Sequence, residues 1–320
     1  MLAFLARRLA SLVLTVAAAS VVVFWVLDVL PGNVAQVMLG ESATPESIAA
    51  LEAKLGLDRP ALVRYVDWVK GVATGDLGTS IAYDTPVAEL VGERLRVTVP
   101  LALLAMVLTT LLAFAFGLFA ASHHRRPGDS VVMAASQVGI AIPNFWFAIL
   151  LILVFAVNLR WVSAGGFPGW SADDGGGVLA GLRALALPAI ALAVVQASIL
   201  ARIVRSAVVD VMREDFVRTA RAKGVSRRGV LLGHVLRNAL VPVLTVMGLQ
   251  FANLLTGTVV IENVFSLPGL GRLVFQAIAN RDLVVVRNVV MLLAAAVVAI
   301  NFAVDVLYVV VDPRLRKRSA

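Results

Sequence analysis

Cysteine is absent from the 320 residues, which excludes disulfides, thiolate metal sites and cysteine nucleophiles together. Charge is scarce: Asp, Glu, Lys and Arg make up 15% of the chain, against roughly a quarter in a soluble domain. His123, His124 and His234 are the only histidines. They lie in or beside segments between apolar runs, where a solvated or lipid-facing role competes with ligation. Catalytic signatures are missing too: no Walker A loop, no G-x-S-x-G elbow, no H-E-x-x-H helix. The interiors of the apolar runs hold few titratable groups, and Asp28 and Asp305 sit near run ends. A proton-driven carrier normally needs an intramembrane acid. These absences point away from an enzyme, leave no cofactor or metal expected in this chain, and place the energy source in another subunit.

What is present is apolar. Hydrophobic residues are 60% of the chain, so the expected class is an all-α, polytopic membrane protein. Six runs, at residues 9–30, 97–121, 131–158, 185–204, 238–261 and 284–311, each reach the about 20 residues that span a bilayer. The membrane part of the last is expected from about residue 289. The first run follows Arg7-Arg8 and could be a signal peptide, but it is longer than a usual signal h-region. A retained transmembrane helix with its N-terminus in the cytoplasm is the expectation. Six spans then return both termini to the cytoplasm. Arg125-Arg126, the cationic stretch between residues 205 and 237, and Arg314, Arg316, Lys317 and Arg318 all fall on the inner side, as the positive-inside rule requires. That placement accounts for the net charge of +8 without a nucleic-acid partner.

The chain divides into an N-terminal span (residues 1–32), a polar insertion outside the cytoplasm (33–96) and a core of five spans (97–320). Three short helices are expected in the insertion. One opens at Thr44-Pro45 and runs to about Leu55; one runs from Pro60 to about Ala73; a third opens at Thr85-Pro86. So small a segment cannot build a large core and should lean on the spans. Residues 159–184, with Trp161 and Trp170, read as a flexible outer linker with interfacial anchors. The glycines of FSLPGLGRL, in the outer loop 262–282, do not make a nucleotide loop, because no strand precedes them and no Gly-Lys-Ser/Thr follows.

Residues 210–242 form the longest cationic segment. Arg213, Arg218, Arg221, Lys223, Arg227, Arg228 and Arg237 follow or flank the acidic pair Glu214-Asp215. Val209, Met212, Phe216 and Ala220 fall at helical spacing, which predicts one helix over 210–222 with a narrow apolar stripe. Gly224 should end it in a left-handed cap, and Ser226 should cap a second helix with Val230, Leu231 and Val235 on its apolar face. Such a helix–turn–helix on a membrane surface could fix orientation, bind anionic lipid or dock a soluble partner.

Within the spans, Pro143 has no N–H to give the carbonyl of Gly139 and should bend the third one. Ser136, Gln137 and Asn144 cluster around it; Gln196 with Ser198, Gln250 with Asn253, and Asn301 add polar groups elsewhere. Helix–helix hydrogen bonding explains any one of them. As a set, Ser136, Gln137, Pro143, Asn144, Gln196, Gln250 and Asn253 are a candidate lining for a translocation path.

REDFVRTARAKG followed by HVLRNALVP resembles the cytoplasmic coupling motif of ABC-importer permeases of the dipeptide/oligopeptide/nickel family. The general motif has an EAA triplet three residues before a glycine. Here Arg218-Thr219-Ala220 precedes Gly224, so only Ala220 and the glycine match, and Pro242 falls further from the glycine. Both departures are similar to those of the peptide-permease branch. YVDWVKGVATGDLGTS, IPNFWFAILLILVF, IENVFSLPGLGRLV and VVDPRLR extend the resemblance over nearly the whole chain in the family's order. Leu30-Pro31-Gly32-Asn33 differs in carrying asparagine where the family often has an acid.

The resemblance implies a type I ABC importer permease fold in a bacterial cytoplasmic (inner) membrane. It further implies a second homologous permease subunit, two cytoplasmic subunits that bind Mg-ATP, and an extracytoplasmic binding protein that delivers dipeptides or oligopeptides. Glu214, Asp215, Arg218, Thr219, Ala220, Arg221, Lys223 and Gly224 would then be the contact that couples ATP hydrolysis to transport. Three alternatives remain: nickel or another small solute as cargo, an ATP-independent carrier, and a membrane-anchored sensor. The amides and hydroxyls of the spans suit a peptide backbone, and no span carries histidines suited to nickel.

Overall fold

The computed structural model describes residues 2–29 and 43–311. The turn at residues 30–33 and the cationic tail with Arg314, Arg316, Lys317 and Arg318 lie outside them. In chain order the helices are α1 (Leu2–Val29), α2 (Pro45–Leu55), α3 (Ala61–Thr74), α4 (Val87–Ser122), α5 (Pro127–Ala141) and α6 (Asn144–Asn158, π-helical from Ile152). They continue as α7 (Val178–Val211), α8 (Asp215–Ala222), α9 (Arg227–Val264, π-helical over Val230–Val235), α10 (Leu270–Ala279) and α11 (Leu283–Val311). The all-α expectation holds.

Five of these helices are long and apolar enough to cross a membrane, and counting the bent pair α5–α6 as one broken span makes six. Pro143 does more than bend its helix. Ile142 and Pro143 are both extended, with ψ of 123° and 135°, and the two halves meet at 100°. The residue before a proline is pushed out of the α region; here the proline follows it into extended backbone, so the helix is broken and restarted.

Two expected boundaries vanish. The short third helix of the insertion and the second span are one helix, α4, which crosses residue 96 without a break. Its 36 residues are about 54 Å long, well beyond the about 30 Å hydrocarbon layer. Glu89, Glu93, Arg94 and Arg96 mark where its polarity changes, not where it ends. In the same way the second cationic helix runs on into the fifth span as α9. The first two helices of the insertion fall where expected. Thr44 and Ser47 form a reciprocal capping box at the start of α2, and Gly56 closes it in a left-handed cap.

Small residues let the central helices approach. Ala113, Gly117 and Ala121 recur every fourth residue of α4 and face α7, where Ala197, Ala201 and Val204 are buried. A Cβ on Gly117 would lie 2.8 Å from the Ala201 carbonyl oxygen. This is the close packing by which helices associate in lipid. By contrast α1 lies on the rim against α11, joined also by Arg8–Asp305 at 3.1 Å.

The insertion does lean on the spans. Trp68 donates to Asn288 Oδ1 at 2.9 Å, and Ser80 donates to Asp282 Oδ2 at 2.5 Å. Residues 159–177 are not a free linker. Trp170 donates to the Arg96 carbonyl at 2.7 Å, Gly166 N–H donates to the Phe265 carbonyl at 2.9 Å, and Phe167 and Trp170 pack into the core formed by Leu185 and Phe265.

Candidate functional site

The cationic segment has a different register from the one its pattern predicts. Asp210 lies in the last turn of α7, which ends at Val211, rather than starting a helix; residues 212–214 turn, and α8 begins only at Asp215. Glu214 is extended (ψ 149°) as the N-cap, and Asp215 in the first turn places negative charge beside the helix's positive end. Counting from this start, the inward residues are Val217 and Ala220, both buried, while Phe216 is 41% exposed. They rest on Val208 and Val209 of α7 and on Val230 and Val235 of α9.

The end of α8 is as expected. Gly224 sits at φ +80°, Val225 N–H bonds the Ala220 carbonyl at 3.2 Å, and Gly224 N–H bonds the Arg221 carbonyl at 3.0 Å. That is a Schellman cap, for which glycine is the residue of least strain. Ser226 then accepts from Gly229 N–H at 3.2 Å and starts α9. Arg218, Arg221, Lys223, Arg227 and Arg228 remain exposed. The pair Arg218–Asp215 is loose, at 3.7 Å, with both side chains largely in solvent. The segment is thus an exposed cationic knob on a buried aliphatic foot, with Thr219 on its outer side.

Beside the foot lies a cluster that sequence reasoning missed. Asp129, 4% exposed, accepts both from Nε of Arg205 and from Nη2 at 2.6 Å, and it also takes the N–H of Arg125 at 3.1 Å. His124 Nδ1 lies 3.3 Å from Asp129 and 3.2 Å from Arg205. The α4–α5 turn is therefore tied to the lower end of α7, ten residues before α8. Arg125 itself is held at φ +64°. An acid in the first turn after Pro127-Gly128 was the available signal, but nothing local names Arg205 as its partner.

The proposed lining residues are not one continuous surface. Gln250 Nε2 donates to the Gln196 carbonyl oxygen at 3.4 Å, and both side chains are buried. Oε1 of Gln196 is buried without a hydrogen-bond partner. Ser136 is buried on α5, one turn from Gly139, where a Cβ would meet Ser198 Oγ at 2.3 Å. Gln137 instead faces out and takes a 3.5 Å contact from Arg202; Pro143 and Asn253 are exposed, and Asn144 is half-buried near Gly257.

A second missed site closes the end opposite α8. Glu262, expected in a loop, ends α9 and is fully buried. It accepts from Thr98 Oγ1 and from Gly271 N–H, both at 2.6 Å, while Thr98 takes Leu270 N–H at 2.9 Å. Its carboxylate thereby caps α10, and Gly269 leaves it room: a Cβ there would meet the Glu262 carboxyl at 2.2 Å. Among the described residues no group of His, Asp and Glu could hold a metal ion.

Broken and unbroken apolar helices around small-residue contacts, with an exposed cationic helix pair at one end, define a polytopic membrane protein. Residues 113–317 match the model of the binding-protein-dependent transport system inner membrane component, and residues 1–102 match the N-terminal model of the same kind of component. The chain belongs to this family and is a permease subunit of an ABC importer. It is 37% identical over 332 residues to the dipeptide transport system permease protein DppB of Alkalihalophilus pseudofirmus, covering 99% of this chain and 100% of that one. With the glutathione transport system permease protein GsiC of Salmonella choleraesuis it shares 39% identity over 316 residues, 99% of each. A chain of the MetNI methionine ABC transporter in its inward-facing form superposes with a TM-score of 0.57 at 18% identity, covering 70% of this chain and 96% of that chain. At that identity the likeness shows the fold alone, which is the type I importer fold.

Proposed function

We propose that this permease carries dipeptides or oligopeptides into a bacterial cytoplasm, driven by ATP that partner subunits hydrolyse. What carries the reading is similarity over essentially the full length to permeases named for dipeptide and glutathione transport. Nickel or another small solute is the alternative cargo, and no histidine lies within the apolar spans to favour it.

In this reading a second, homologous permease completes the path and an extracytoplasmic binding protein supplies the peptide. Two ATPase subunits bind Mg-ATP and hold α8 through Arg218, Arg221 and Lys223, with Glu214, Asp215 and Thr219 at the rim of the contact. The knob suits the role because its charges are free while Val217 and Ala220 are locked against α7 and α9. Closure of the ATPase pair would then move α8 as a lever. Arg205 and Asp129 would transmit that motion to α5, whose continuation α6 meets it at 100°. Such rigid-body motion is a common basis of alternating access. Gln196, with an unpaired buried amide oxygen, and Gln250 are the lining residues best placed to meet a peptide amide.

The complex, reconstituted in proteoliposomes with its binding protein, should take up a labelled dipeptide only with ATP inside, and nickel not at all. Uptake without ATP would overturn the importer mechanism; nickel uptake without dipeptide uptake would overturn the cargo. Orientation is tested separately. A single cysteine at Ser171 should react with an impermeant thiol reagent on intact cells, and one at Arg228 only after permeabilisation.

A further inference from the structure

Helix α3 has three faces. Successive residues of a helix turn by about 100°. Ala61, Tyr65 and Trp68 share the face docked on the spans, where they pack with Phe24 and Met291. Asp67, Lys70 and Thr74 occupy the far side together with Val63, and Arg64 lies between that side and the docked face. Between the two lies a second apolar stripe, Leu62, Val66, Val69 and Ala73, centred about 110° from the docked face by the same helical geometry. Nothing among the described residues covers it: Leu62 is 71% exposed, Val66 39% and Val69 38%.

The level at which α3 docks says what covers this stripe. Tyr65 Oη lies 2.9 Å from Ser20 Oγ. Ser20 is seven residues inside the apolar span Phe4–Leu27, about 10 Å along the helix from its end. Trp68 stacks on Phe24, also within that span. On the same stretch of α1, Val22, Trp25 and Val26 are 50–59% exposed, as side chains of a membrane span turned towards lipid would be. The polar atoms at this level are those of an interfacial belt: Arg287 lies over Trp68 at 4.8 Å and Arg64 over Phe24 at 5.9 Å.

We propose that α3 is an interfacial membrane helix, with Leu62, Val66, Val69 and Ala73 buried in lipid at the boundary of acyl chains and headgroups. A helix with a docked side, an apolar side turned down and a charged side turned up lies in the plane of the membrane. Residues 61–74 are then part of the membrane domain and not of a water-exposed insertion. Which leaflet they occupy follows from the orientation proposed above; the lipid contact does not depend on it.

The cysteine-free chain allows the test. Leu62→Cys, Val66→Cys, Val69→Cys, Asp67→Cys and Lys70→Cys would each be spin-labelled in the assembled complex in phosphatidylcholine vesicles. Collision rates with oxygen, which concentrates in lipid, and with a water-soluble nickel chelate would be compared. Oxygen should exceed the chelate several-fold at positions 62, 66 and 69, with the order reversed at 67 and 70. Chelate preference at all five would place the stripe in water. Immobile labels reached by neither probe would mean that a partner protein covers it. Either result overturns the proposal. If Leu62→Cys does not assemble, Ala73→Cys reads the same face. No ATP or peptide is needed, so failure here leaves the importer reading untouched.

Discussion

The two ends of the molecule are built by opposite means. At the end that the proposed orientation makes inner, the cationic segment is shaped by neighbours in sequence: Asp215 at a helix start, a Schellman cap at Gly224, Ser226 capping Gly229. At the outer end the decisive contacts bridge 164 to 220 residues, through Thr98–Glu262, Ser80–Asp282 and Trp68–Asn288. Local caps leave the outward charges free, which suits a surface that must engage and release a partner. Long-range bonds to buried carboxylates lock loops to spans, which suits a rim that must hold its shape while the helices beneath it move.

The strongest way to break that contrast is at the buried acid. Glu262→Ala removes the acceptor for Thr98 and for Gly271 N–H, and opens a void beneath Gly269. A hydrogen bond is worth about 0.5–1.5 kcal/mol net, and each buried donor left without a partner costs about 1–3 kcal/mol. The expected result is a complex that assembles poorly or unfolds at markedly lower temperature in detergent, with hydrogen exchange accelerated first in α10. An unchanged melting curve would mean that the outer rim does not depend on this carboxylate.

Asp129 sharpens the contrast, since it is a long-range polar tie at the inner end. Asp129→Asn keeps the shape but replaces one acceptor oxygen by an NH2, so one bond from Arg205 is lost and the other loses its charge assistance. A loss of about 2 kcal/mol is expected from the change in charge-assisted bonding, with a fall in coupled uptake. Arg205→Lys should be nearly as damaging, because a single ammonium cannot reproduce the two-pronged contact. Full coupling in both variants would confine the inner end to local signals.

The same contrast explains what could be read in advance. Spans follow from composition, because a bilayer selects length and apolarity without regard to partners. The bounds of α2 and the cap at Gly224 follow from residues a few positions apart. Three features did not yield. The continuity of α4 past residue 96 was hidden because charge marks exit from lipid, not the end of a helix. The register of α8 was misplaced because Val209 and Met212 continue its spacing by coincidence across a turn. The partners of Asp129, Glu262 and Asp282 are set by which spans pack together, and no short-range pattern encodes that. Of the proposed lining, Gln196 and Gln250 are joined by a hydrogen bond, and that pairing too is set by which spans pack together.

The smallest structural effect should carry the sharpest functional one. Arg218→Glu with Arg221→Glu reverses two exposed charges whose one ion pair among the described residues is loose, Arg218 reaching Asp215 at 3.7 Å. Surface changes of this kind scarcely alter stability, so the melting temperature and insertion should match the parent. Orientation should also persist, because Arg125, Arg126, Arg213, Lys223, Arg227 and Arg228 still mark the inner side. Gly224→Val is the control with the opposite profile. A β-branched residue at φ +80° strains the backbone, loosening the end of α8 while leaving its charges intact. If α8 docks an ATPase, both changes should lower binding-protein-stimulated ATP hydrolysis, or uncouple it from peptide uptake. The charge reversal should do so without any loss of thermal stability, and added salt should weaken the parent's coupling in the same direction. Normal coupled transport by both variants would remove α8 from the ATPase contact and leave its cationic face with the single task of fixing orientation.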